Sequence, residues 1–107
     1  MRAFDIPAVL DERAKTGRAY LEFLRVPALS TGVYSLPAGA ADTQRPHAED
    51  EVYLVLAGRA TFESGVAAIP VVPGTLLYVP ARESHRFVDI EEDLAVLVVF
   101  APAESGG

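Results

Sequence analysis

The chain carries two histidines, His47 and His85, and each stands at the entrance to an apolar run behind a proline-containing turn. His47 lies in RPHAEDEVYLVLA (45–57), with Glu51 four residues on; His85 opens HRFVDI (85–90) after PARES (80–84). On one straight strand, residues four apart are separated by about 13 Å, too far for two donors each ~2.1 Å from one ion. A chain reversal at Ala48 to Asp50 instead sets positions 47 and 51 opposite one another, at ~5 Å between Cβ atoms. If PARES also turns His85 inward, two imidazoles and one carboxylate face a common point. Such a facial triad with open positions suits Fe(II) and related divalent ions. The competing reading of the same residues is a surface turn whose charges are merely solvated.

Other residues enter by position. Tyr53 and Phe87 share alternation parity with Glu51 and His85, so they are candidates for lining a substrate pocket or for plain core. Arg45, two residues before His47, is a candidate clamp for a substrate carboxylate, against the alternative of an ordinary surface arginine. With no cysteine in the chain, disulfides, thiolate metal sites and thiol redox chemistry are excluded, and any metal must be held by nitrogen and oxygen.

The elements that must position these groups follow from punctuation. The 107 residues make one domain, read as a helical segment (1–17), a β-barrel (18–101) and a flexible tail (102–107). Asp5, Pro7 and Gly17 bracket one short helix as cap, first-turn proline and glycine stop. Beyond it, Gly and Pro cut the chain into pieces that read as strands: 19–26, 30–36, 51–57, 59–64, 66–72, 75–80, 85–90 and 94–101. The acidic run Glu91, Glu92, Asp93 reads as a solvated hairpin turn between the last two. Many short strands and almost no helix imply an all-β sandwich or small barrel. VYLVLA and LAVLVVFA are apolar on both alternating faces, which in so small a domain implies a partner subunit.

A net charge of −6 argues against nucleic acid as a partner. No apolar run reaches the ~18 residues that span a membrane. Acids interrupt MRAFDIPAVLDERAKTG where a signal peptide needs an apolar stretch, so a cytoplasmic location is expected.

The spacing of Gly39, Arg45, His47, Glu51 and Gly58 resembles the first motif of the cupin superfamily, and Gly74, Pro80, Arg82, His85 and Asp89 resemble its second. The resemblance implies a double-stranded β-helix of the jelly-roll type, usually dimeric, with His47, Glu51 and His85 as metal ligands. Three positions depart from the pattern: Arg45 stands where the family usually has its first ligand histidine, Arg82 where it has Gly, and Asp89 where it has Asn. Activities across the superfamily range over dioxygenases, isomerases, lyases, decarboxylases, sugar binders and storage proteins, so fold alone assigns none. Three functions follow as expectations. The first is a divalent-metal enzyme (Fe2+, Mn2+, Ni2+ or Zn2+) acting on a small organic molecule. The second is a module that binds a carboxylate or sugar against Arg45 without catalysis. The third is a dimerising domain with a closed barrel.

Overall fold

The computed structural model describes residues 1–65 and 67–105. A single helix, α1 (Ile6–Thr16), starts after Asp5 with proline in its first turn and stops at Gly17, which takes the left-handed conformation at φ 71°. Asp5 sits at the capping position without a side-chain hydrogen bond to the helix. Six antiparallel strands follow: β1 (Tyr20–Val26), β2 (Leu29–Leu36), β3 (Asp50–Ser64), β4 (Ala67–Val71), β5 (Leu76–Val79) and β6 (His85–Ala101). They form one rolled sheet in the order β1-β2-β6-β3-β4, with β5 also on β3, the arrangement of a double-stranded β-helix. No described helix is long and apolar enough to cross a membrane.

The core lies inside the roll. Tyr53 and Val55 on β3 and Leu94, Val96, Val98 and Phe100 on β6 alternate inward, where they meet Phe62, Leu77, Val79 and Phe87. Their neighbours in sequence point outward. On the outer side α1 covers only part of the sheet, burying Val9 near β1 and β2, where Val33 is fully buried.

Two expected breaks are absent. Strand 51–57 and strand 59–64 are one element, as are 85–90 and 94–101, so the acidic run is no hairpin turn. Gly58 bends rather than ends β3: it has φ 91° and lies among register shifts between Val55 and Thr61. Such bulges turn a ladder without interrupting its pairing. Glu91 and Glu92 remain solvated within β6, where both pair with Arg59 across the ladder.

The bend is what creates a site. Glu51 is the second residue of β3 and His85 the first of β6, and His85 is paired with Ser64 at the far end of β3. Thirteen residues separate positions 51 and 64 (64 − 51), which on a straight strand would be about 43 Å at ~3.3 Å per residue. Rolling the long β3–β6 ladder at Gly58 folds that distance away. The expected tail is also partly seated: Glu104 N–H donates to Ser30 Oγ at 2.9 Å, and Ser105 bonds Glu49 through its amide and hydroxyl at 3.0 and 2.7 Å. Residues 106 and 107 of that tail, and Val66 of the expected strand 66–72, lie outside the described residues.

Candidate metal centre

His47, Glu51 and His85 each offer one donor atom, and the three atoms lie within 4.8 Å of one another. Each arrives differently. His47 precedes a bend at Ala48 and Glu49, and its carbonyl accepts the Arg82 N–H at 2.7 Å, which ties the loop of the first histidine to the turn before the second. Glu51 is the second residue of β3, flanked by Val79 and Phe100 on the two neighbouring strands. His85 is aimed by the turn behind it: its Nδ1 lies 2.9 Å from the Glu83 carbonyl, while the Glu83 carboxylate accepts a bond from Ser64.

The surroundings are dry. The side chains of His85 and Glu51 are 1% and 2% exposed, with Nε2 3.0 Å from Oε1. The two form an ion pair only when His85 carries a proton on Nε2, and Oε1 has no other partner among the described residues. A buried carboxylate oxygen without a partner is costly unless a cation faces it. Burial by itself would lower the His85 pKa, but the Glu51 carboxylate and the Glu83 carbonyl outweigh it and raise the value above that of an ordinary histidine. The centre therefore attracts positive charge, supplied by a proton on His85 or by a metal in its place.

Residues 32–100 match the family model for the cupin domain. The chain belongs to the cupin family. An uncharacterized protein of Streptomyces coelicolor is 50% identical over 105 residues, which is 98% of this cupin and the whole of that relative. Among solved structures, TT1209 from Thermus thermophilus superposes with a TM-score of 0.72 at 22% identity, covering 96% of this chain and 99% of that one. The DMSP lyase DddQ from Ruegeria pomeroyi gives 0.70 at 22% identity, over 82% of this chain and 49% of the lyase. At that identity both likenesses concern the fold.

Beside the triad this cupin has a cavity of about 150 Å³, lined by Tyr20, Tyr34, Gln44, His47, Glu51, Tyr53, Val98, Phe100 and Glu104. A closed barrel with nothing beside Glu51, one of the three expected readings, does not describe it. Tyr53 lines the cavity as expected from its parity, and its hydroxyl donates to Gln44 Oε1 at 2.9 Å and lies 3.1 Å from His85 Nε2. Phe87 shares the inward face but is absent from the lining; it packs in the core against Tyr53 and Phe62 at ring distances of 5.2 and 4.9 Å. Arg45 is exposed and lines only an outer vestibule, together with His47, Glu49 and Glu104. Its charge thus stands at the mouth rather than on the triad.

Residues in and behind the cavity wall complete the site. Buried Asp42 accepts the Tyr34 hydroxyl at 2.7 Å, the Gln44 side-chain amide at 2.7 Å and the Phe87 N–H at 2.9 Å, so it holds the cavity wall to β6. Tyr20 presents a buried hydroxyl with no partner among the described residues. Burial, followed by nearby carboxylates, raises the pKa of Tyr20; burial and the bond to Asp42 do so for Tyr34, and burial and Glu51 for Tyr53. All three phenols stay protonated at neutral pH.

Proposed function

We propose that this cupin is a metal-dependent enzyme acting on a small organic molecule, with His47, Glu51 and His85 holding one divalent cation. The observation that carries the reading is the meeting of three donors from two distant segments around a buried carboxylate oxygen whose one close polar neighbour is His85 Nε2. The donors fit such an ion: two imidazoles and a carboxylate, without thiolate, suit Fe2+, Mn2+, Ni2+ or Zn2+. When bound, the cation supplies Lewis acidity toward an oxygen of the substrate. The chain's own groups do the rest. Tyr20 offers its unpartnered hydroxyl to a polar atom of the ligand, Val98 and Phe100 face the ligand's apolar part, and the cavity limits its size. Arg45 at the vestibule attracts an anionic group without entering the cavity, and Tyr53 braces His85. Phe87 supports Tyr53 from behind. The reaction falls among the dioxygenase, isomerase and lyase types.

Metal content tests the reading. Untagged protein measured by mass spectrometry should hold close to one equivalent of a transition metal per chain, and His85→Ala and Glu51→Gln should lose most of it. Equal content in all three proteins overturns the assignment.

One observation favours a second reading, a non-catalytic carboxylate or sugar binder: Arg45 occupies the position of the usual first ligand histidine. If Fe(II), Mn(II), Ni(II) and Zn(II) leave the melting temperature unchanged while small acids or sugars raise it, this second reading replaces the first. Under either reading the chain pairs as a homodimer. The support is the outer face of β5, β3 and β6, where Tyr78, Val52 and Val99 form one cross-strand row and Leu76, Leu54 and Leu97 another.

A further inference from the structure

The segment after the last strand ends on the site. Ala103 N–H donates to the Pro27 carbonyl at 3.4 Å, Arg25 donates to the Glu104 carbonyl at 2.8 Å, and Glu104 N–H donates to the fully buried Ser30. Ser105 then clasps the carboxylate of Glu49, which is buried and belongs to the bend between His47 and Glu51. These bonds join the segment after β6 to the β1–β2 turn on one side and to the ligand loop on the other. Between the two anchors the Glu104 side chain reaches inward, with Oε2 3.2 Å from Nδ1 of His47. Glu104 lines both the inner cavity and the outer vestibule, so it stands on the wall between them.

We infer that Glu104 is a positioning residue for the metal centre: it fixes the orientation and tautomer of His47 from the C-terminal segment. The inference rests on the metal reading above. A neutral imidazole has one N–H, and the nitrogen that carries it is set by the hydrogen bond it makes. A carboxylate at Nδ1 holds the proton there and leaves the Nε2 lone pair for a cation, the role that outer partners play for metal-ligating histidines. His85 is treated alike, by the Glu83 carbonyl at its Nδ1. His47 has no such carbonyl among the described residues; it packs edge-on against Phe100 at 4.8 Å, and its Nδ1 instead has the Glu104 carboxylate at 3.2 Å, an ion-pair contact that favours a proton on Nδ1 over one on Nε2. As a stabilising pair this contact is minor, because both side chains are more than 20% exposed at 22% and 23%. Its consequence lies in which nitrogen faces the centre.

Because the chain has only two histidines, the test is spectroscopic. Nitrogen-15 spectra of the metal-free chain, recorded at alkaline pH, are assigned with a His85→Ala variant. His47 should be protonated at Nδ1 in the parent chain and in Glu104→Gln, whose amide oxygen still accepts, and should shift toward Nε2 protonation in Glu104→Ala. Zinc affinity measured by titration calorimetry should fall about tenfold to hundredfold in Glu104→Ala and be largely restored in Glu104→Gln. Glu104→Gln also controls for folding, since it preserves the shape of the side chain. An unchanged His47 spectrum in Glu104→Ala overturns the inference whatever the metal does. A parent chain that shows the expected tautomer and binds no cation overturns the metal reading, and with it the proposed purpose of Glu104.

Discussion

Arg82 adopts φ 67°, a left-handed conformation that costs a non-glycine residue roughly 1–2 kcal/mol. It stands at the turn whose N–H bonds the His47 carbonyl, at a position where the family's second motif has glycine. Arg82 is exposed and its side chain makes no hydrogen bond among the described residues, so glycine loses nothing there except some unfolded-state restriction. Arg82→Gly should therefore stabilise the protein by about 0.5–1 kcal/mol, a rise of a few degrees in Tm, whereas a β-branched Val should lower it. A lower Tm for the glycine variant would show that the arginine side chain contributes something the contacts do not reveal. The triad was legible in the sequence because its residue types are scarce and its spacing matches a motif. Asp42 and Glu104 were not. Their contacts reach Phe87 and His47 across 45 and 57 residues (104 − 47), and contacts between segments so far apart leave no periodic trace.

At the scale of elements, the strands themselves were readable from β-branched and aromatic runs, and α1 from its cap, proline and glycine. What failed was punctuation. Gly58 and the acidic run 91–93 resemble strand ends when read locally, yet each lies inside a strand that pairs continuously, because a bulge and a charged outer face satisfy the same composition. Gly58 is required at that bend for two reasons. Its φ of 91° is closed to other residues, and an added Cβ would press on the β6 backbone, within 2.8 Å of Leu94 Cα and closer still to the Asp93 carbonyl. Backbone cannot give way as a flexible side chain can. Gly58→Ala should cost about 3 kcal/mol or more, combining left-handed strain with overpacking, and a lower urea midpoint at unchanged m-value would measure it. Since the bend also brings His85 to Glu51, metal affinity should fall with stability in this variant. A midpoint equal to that of the parent would show that the ladder bends without Gly58.

The whole molecule leaves one face uncovered. Helix α1 shields the outer side of β1 and β2, but among the described residues no element lies above the two cross-strand rows on β5, β3 and β6, and Leu76 and Tyr78 are 66% and 64% exposed. Apolar residues on both sides of β3 and β6 were the sequence's own argument for a partner, and the inner side is accounted for by the core. Full burial of Leu76 and Tyr78 stabilises by roughly 1.5–3 kcal/mol each, while Val52, Leu54, Leu97 and Val99, already partly buried, add less, and the sum is set against the orientation and ordering costs of association. A second copy placing the same face over this one satisfies the outer side of both chains at once, with the closed two-fold symmetry usual for homo-oligomers. Under that arrangement Leu76 and its symmetry mate lie within the buried patch, and a glutamate there would be desolvated without a counter-charge. Leu76→Glu should then raise the dimer dissociation constant at least a hundredfold, equivalent to about 2.7 kcal/mol, and convert the protein to monomer at micromolar concentration. Sedimentation equilibrium reads the difference directly, with the circular dichroism spectrum unchanged because the side chain faces out. A parent chain that sediments as a monomer, or a variant that remains dimeric, would place the interface elsewhere or remove it.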